Sequence, residues 1–145
     1  MQALELFEQY LKTHGQSITT PRRFIFTLFL NSPHLSVEQV LELTRGSINR
    51  ASVYRIIARF EEMGLLDRIY LSRNEYRLEL AEQFSSHHHN FICERCGSVI
   101  SFAEPALMPD MLRRLSERHG LDISHHTFSL RGRCKACRTS LTTKT

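Results

Sequence analysis

The four cysteines of this chain fall in two Cys-x-x-Cys pairs, Cys93/Cys96 and Cys134/Cys137. Two residues between thiols let each pair curl into a knuckle that offers both sulfurs to one ion, and two knuckles complete the tetrahedron zinc takes in structural sites. Gly97, directly after the first pair, supplies the backbone freedom such a knuckle needs. Four thiolates leave no open position for water or substrate, so this zinc is expected to be structural rather than catalytic. A deaminase-type zinc would need a His-x-Glu ahead of its cysteine pair, and the sequence contains none. Without a secretory signal, metal binding is the expected use of the cysteines rather than disulfides.

Histidine is the second chemical signal. The chain carries 8 His, six of them in the run His87-His88-His89, in the pair His125-His126 and at His34. On an extended backbone His87 and His89 face one way and His88 the other, so the run can serve two sites. Glu79 is the obvious carboxylate for one of them. A divalent ion held by His34, Glu79 and His88 would clamp the two halves of the chain and convert metal occupancy into the orientation of one half against the other. Three such ligands, completed by water or by His89, suit a tetrahedral ion. That favours zinc over iron or manganese as the second divalent metal.

The third signal is a helix expected over about Asn49–Met63, closed by Gly64. On a helical wheel Val53, Ile56, Ile57, Phe60 and Met63 point inward, while Ala51, Tyr54, Arg55 and Ala58 point out, with Ser52 and Arg59 at the border. Small residues at 51 and 58 let the backbone approach a flat partner. Arg55 can donate bidentately to guanine and Tyr54 can lie against a thymine methyl, whereas Ser52 and Arg59 suit phosphates. Arg22, at a helix start, and Arg73, at a turn, are expected to add phosphate contacts.

The elements that must position these residues follow from local signals. An amphipathic helix over residues 3–13 ends at Gly15. Thr19-Thr20-Pro21 caps a second helix of about Arg22–Leu30, and Ser36-Val-Glu-Gln39 is a capping box opening a third to about Leu43. Strands over Leu65–Leu71 and Glu75–Leu80 flank a turn at 72–74 and make a wing behind the reading helix. Past a polar linker, strands Asn90–Ile92 and Ser98–Phe102, a helix of about Pro109–Arg118 and a strand Leu121–Leu130 lead to the second cysteine pair. The fold class is therefore α+β. A winged helix-turn-helix DNA-binding domain is expected over 1–80, a linker over 81–86, a small α/β dimerisation domain with a four-cysteine zinc site over 87–138, and a disordered tail over 139–145. So small a second unit calls for both zinc and a partner subunit.

Composition sets limits around this reading. A hydrophobic content of 41% and a charged content of 23% are those of an ordinary globular protein. No apolar run is long enough to span a bilayer and the first residues lack a leader pattern, so a cytoplasmic protein without a membrane partner is expected. A net charge of +4 is too mild to argue for nucleic acid, which leaves the argument to the placement of the arginines. A closed zinc and the lack of a nucleophile–base constellation argue against a hydrolase and a small-molecule substrate.

In order along the chain, Thr-x-Pro-Arg at 19–22, Arg-Ala-Ser-Val-Tyr-Arg at 50–55, Leu-Glu-Leu at 78–80, His-His-His-Asn-Phe-Ile-Cys-Glu-Arg-Cys-Gly at 87–97, His-Gly at 119–120 and the closing Cys-x-x-Cys resemble the ferric uptake regulator family over about residues 3–138. The resemblance implies a homodimeric winged-helix repressor that binds palindromic AT-rich double-stranded DNA when a regulatory metal is loaded. By position it implies base contacts for Tyr54 and Arg55, zinc ligation for Cys93, Cys96, Cys134 and Cys137, and inter-domain metal sensing for His34, Glu79 and His88. It also implies a further metal site near His87, His89 and His126. The family pattern has a histidine where this chain has Asn90 and often an acid where it has Ser101. Its helix acid at the further site has Pro109 or Asp110 as the nearest residues here. A regulator that has lost metal switching, or one that senses peroxide, is the alternative within the same family.

Overall fold

The computed structural model describes residues 2–103 and 107–139. The chain forms two compact units, the first ending at Ser86 and the second beginning at His87.

The first unit is four helices and a hairpin: α1 (Gln2–Thr13), α2 (Thr20–Asn31), α3 (Val37–Leu43), α4 (Arg50–Glu62), β1 (Leu66–Tyr70) and β2 (Tyr76–Leu80). Each helix after α1 begins at a side chain that satisfies an otherwise orphaned N–H. Thr19 accepts from the Arg22 N–H, with Pro21 in the first turn. The Arg-free start of α3 is a reciprocal capping box: the Gln39 N–H donates to Ser36 Oγ at 3.1 Å and the Ser36 N–H to Gln39 Oε1 at 2.8 Å. Asn49 Oδ1 accepts from the Ser52 N–H at 2.8 Å and opens α4. Gly64, at φ 70°, then turns the chain from α4 into the wing, a backbone conformation a β-carbon would strain.

Aromatic rings hold these helices together. Phe7 of α1 stacks on Phe26 of α2 at 4.1 Å and meets Phe60 of α4 edge-on at 5.6 Å, and all three are buried. Residues 81–86, expected as a polar linker, contain a short 3-10 turn at Glu82–Phe84. Phe84 is buried and packs edge-on against Tyr10 and Phe26, so the exit from the wing is fastened to the core. Outside the hairpin, Leu35 bridges Leu78 of β2 in antiparallel sense through two backbone hydrogen bonds of 2.8 and 2.9 Å.

The second unit contains β3 (His89–Cys93), β4 (Val99–Phe102), α5 (Leu107–His119), β5 (Ser129–Gly132) and α6 (Lys135–Thr139). Its sheet has the order β4-β3-β5, with β4 antiparallel and β5 parallel to the central β3. The strand expected over Leu121–Leu130 is corrected: residues 121–128 take no regular structure and β5 runs Ser129–Gly132. The reason is the partner. Parallel pairing begins at Asn90↔Ser129 and proceeds to Cys93↔Gly132, and β3 starts only at His89, so residues before 128 have no strand to pair with. The helix expected over Pro109–Arg118 is present and slightly longer. The expected disordered tail lies outside the described residues from 140 onward, and Thr139 closes α6.

Candidate metal centres and nucleic-acid interface

The β3–β4 turn and the start of α6 bring all four cysteines together. One sulfur from each of Cys93, Cys96, Cys134 and Cys137 lies within 4.8 Å of every other. Cys96 Sγ and Cys134 Sγ are 3.7 Å apart, and a tetrahedron with a Zn–S bond of about 2.3 Å has an S···S edge of about 3.8 Å. The electrostatics also call for a cation. The Cys93 thiol is pulled down to about 6, first by the Cys134 N–H (Cys134 N to Cys93 Sγ, 3.4 Å) and then by that of Cys96. Cys96 is also lowered, chiefly by the Ser98 hydroxyl at 2.9 Å, whereas Cys137 is pushed up to about 12, first by the adjoining Cys134. Four sulfurs this close cannot all ionise unless a divalent ion compensates them. The cluster fits a structural zinc site, which would add rigidity and no reacting position.

Ahead of the cysteines, His87, His89 and His126 converge, each offering a ring nitrogen within 4.8 Å of the others. The alternation along the run puts His87 and His89 on one side, with their Nε2 atoms 3.2 Å apart. His89 is 3% exposed. Burial, then the neighbouring His87 and His126, lower its proton affinity, which favours the neutral imidazole a metal requires. His126 Nε2 is buried without a hydrogen-bond partner, an orphan that an ion would satisfy. Asn90 and Ser101, cross-strand neighbours on β3 and β4, are joined by a 2.8 Å hydrogen bond from Ser101 Oγ to Asn90 Oδ1.

The remaining expected ligands are distributed over both units. His34 precedes Leu35, which bridges Leu78, the residue before Glu79 of β2. Asp67 of β1 is the other cross-strand neighbour of Glu79. Burial, then the Glu79 carboxylate, raise Asp67 above the usual carboxylate range, so this face of the wing concentrates negative charge. Asp67 is not among the expected ligands; its signal in the sequence is the pairing of 65–71 against 75–80 about the turn at 72–74, which sets it against Glu79. His88 belongs to the second unit and stands immediately before β3.

The inward and outward sides of α4 are as the helical wheel requires. Val53, Ile57 and Phe60 are buried and Ile56 and Met63 pack against the core, whereas Tyr54 is 48% exposed and Ala51, Arg55 and Ala58 are open to solvent. Between the start of α2 and this face lies a groove of about 490 Å³ lined by Ser17, Thr19, Pro21, Arg22, Ser52, Arg55 and Ile56. The arginines differ in how committed they are. Arg55 makes one 3.2 Å contact to Ser52 Oγ, and Arg73 is exposed in the turn between β1 and β2. Arg59 is paired with Glu62 at 3.0 Å. Arg22 donates to Ser17 O at 2.6 Å, Ser17 Oγ at 3.2 Å and Gln16 Oε1 at 3.2 Å, so it braces the α1–α2 loop. Arg22, expected at a phosphate, is thus engaged within the chain, and Ser17 and Thr19 join the groove lining beside it. The cap at Thr19 was the signal for them.

A helix-turn-helix with a wing, followed by a unit closed on a four-thiolate centre, defines the zinc-structured winged-helix proteins as a class. The chain belongs to the ferric uptake regulator family, whose sequence profile it matches over residues 13–131, and it is thus a metal-responsive transcription regulator. The ferric uptake regulation protein of Haemophilus influenzae is 35% identical to it over 129 residues, 86% of each chain. The ferric uptake regulator of Francisella tularensis, solved with iron, superposes with a TM-score of 0.67 at 28% identity, covering 86% of this chain and 96% of that one. That of Vibrio cholerae, whose DNA-binding domains undergo structural rearrangement, superposes with a TM-score of 0.68 at 26% identity, covering 88% and 98%.

Proposed function

We propose that the protein is a repressor that binds palindromic AT-rich operators as a homodimer, with zinc in the four-cysteine centre and a second divalent ion as its signal. The observation that carries this is the outer face of α4, where Tyr54 and Arg55 project from a helix fixed by three buried residues, flanked by small side chains that admit a duplex. Ser52, Arg59, Arg22 and Arg73 would serve phosphates, Arg22 only by giving up its loop contacts. A second copy has a surface to cover: Leu107, Met111 and Leu115 form an exposed stripe at i, i+4 and i+8 on α5, and Ile100 and Leu130 of the sheet are also exposed. No helix among the described residues is long and apolar enough to cross a membrane, and an operator-binding role places the protein in the cytoplasm.

His34, Glu79 and His88 are the proposed ligands of the signalling ion. The wing face supports this, because Glu79 has a carboxylate neighbour in Asp67, a charge pattern that a cation relieves, and the bridge between Leu35 and Leu78 joins the residues next to His34 and Glu79. One observation favours a second reading, DNA binding without metal switching. Asn90 and Ser101 satisfy each other and offer a metal an amide and a hydroxyl at positions where the family pattern has an imidazole and an acid. The deciding experiment is an operator titration with and without added divalent metal, using protein that keeps its structural zinc, for the parent and for Glu79→Ala. Tighter binding with metal, lost in Glu79→Ala, is the expected result. Equal affinity in all four conditions would establish the second reading.

A further inference from the structure

We infer that Arg68 is a positioning residue for DNA binding: held between Glu61 of the reading helix and the ring of Tyr76, it fixes the angle of the wing to α4 and so aims Arg73 at the phosphate backbone. This rests on the DNA-binding reading above, and the experiment below separates the failure of one from the failure of the other.

A two-stranded ribbon is a weak support for a contact residue, because such a hairpin is marginally stable alone and strongly twisted. Here β1 and β2 form a sheet of their own, paired from Leu66↔Leu80 at the base to Tyr70↔Tyr76 near the tip. Burial of Leu66, Ile69, Leu78 and Leu80 holds the ribbon to the core, but apolar contact is non-directional and sets the angle only loosely. The turn is closed by hydrogen bonds from the Leu71 and Ser72 N–H groups to Glu75 O, at 2.8 and 3.1 Å. Those bonds fix the shape of the turn and not its direction. From base to tip the ribbon measures roughly 20 Å, so a tilt of about 10° moves Arg73 by roughly 3 Å, enough to break a contact made at hydrogen-bonding distance.

Arg68 supplies the direction. Its Nε and Nη2 donate to Glu61, one to each carboxylate oxygen, the second at 3.2 Å, and its guanidinium carbon lies 4.2 Å from the centre of the Tyr76 ring. Glu61 belongs to α4, Arg68 to β1 and Tyr76 to β2, so one planar group joins the three elements. A bidentate fork fixes orientation as well as distance, and a cation over an aromatic face adds a constraint outside the plane of the fork. The Glu61 side chain is 20% exposed against 65% for Glu62 in the neighbouring pair with Arg59, so solvent screens the Arg68 pair less.

With its fork and one face engaged, Arg68 is not the group that meets DNA; Arg73, exposed in the turn, is. The two roles give opposite signs for one substitution. Glu61→Gln removes a negative charge from beside an anionic partner, which by charge alone tightens binding. Where the carboxylate holds the wing in place, the same change weakens it.

The experiment measures affinity for a duplex that the parent protein selects from a random pool, over a range of salt concentrations. Full-length protein is used, with its structural zinc retained and divalent metal added. Arg73→Ala should weaken binding and make the plot of log affinity against log salt shallower by about one. Glu61→Gln and Arg68→Lys should each weaken binding roughly 3- to 10-fold and lose the same unit of slope. The double variant Glu61→Gln/Arg73→Ala should bind no more weakly than Arg73→Ala alone. Tyr76→Phe, which keeps the aromatic face, should match the parent. Preference at the base pair read by Arg55 should be unchanged throughout. A group that only stabilised the fold would lower the urea midpoint and leave the slope of the folded protein alone. Tighter binding by Glu61→Gln, additive losses in the double variant, or an unchanged slope in Arg68→Lys would each overturn the inference and leave the DNA-binding reading intact. A parent protein that selects no duplex would overturn both.

Discussion

Replacing Cys96 by serine tests what holds the second unit together. The substitution removes one of four sulfurs that all lie within 4.8 Å of one another and substitutes a hydroxyl, which stays protonated and is a poor zinc ligand. Among the described residues of this unit, the large buried apolar side chains are Ile92, 2% exposed, and Met108, 9% exposed. Fully burying such a side chain contributes about 1.5–3 kcal/mol. A structural zinc contributes about 10–16 kcal/mol in small zinc domains at neutral pH, several times what the two side chains supply. Ordering the backbone costs about 1–2 kcal/mol per residue, so this core cannot hold the sheet without the ion. The first unit has its own core around Phe7, Phe26 and Phe60 and does not depend on zinc. Cys96→Ser protein, washed with a mild chelator, should therefore contain no zinc, lose hydrogen-exchange protection across β3 and β5, and keep protection in α2 and α4. Zinc release by a colorimetric chelator and exchange mass spectrometry on the same sample read both quantities. Zinc-free Cys96→Ser with β3 as protected as in the parent would refute the reasoning.

Two further expectations concern the reading helix. Arg55→Ala should cost about 1–3 kcal/mol of operator binding and relax the preference at one base pair; Arg59→Ala, whose guanidinium is already paired with Glu62, should cost less, and competition binding with single-base operator variants measures both. Asn49→Ala removes the 2.8 Å cap at the start of α4 and should destabilise the first unit by about 1 kcal/mol. A urea titration followed by hydrogen exchange in α4 reads that change, and an unaltered midpoint would mean the helix start is held by packing alone.

What the sequence determined by itself were the features governed by local rules. The caps at Thr19 and Ser36 are short-range hydrogen bonds between residues three apart, and the inward face of α4 is a periodicity of one helix, so both are legible in the sequence; the same three-residue bond from Asn49, expected as the first residue of its helix, is a cap that the structure adds. The cysteine pairs were legible because two-residue spacing is itself the geometry of a metal knuckle. What only the tertiary structure decided were pairings between distant segments. The start of β3 at His89 denied residues 121–127 a strand partner, a limit that their own sequence does not carry. The Leu35↔Leu78 bridge joined the residue after His34 to the residue before Glu79, and the β1–β2 register set Asp67 against Glu79. Phe84 joined the first core from a stretch whose composition reads as linker, because one aromatic ring can fill a gap between Tyr10 and Phe26 that exists only once the helices have packed. Arg22 turned from a free cation into a brace because the loop at 16–17 folds back within reach of its guanidinium, and such commitments depend on distances in space that spacing along the chain does not set.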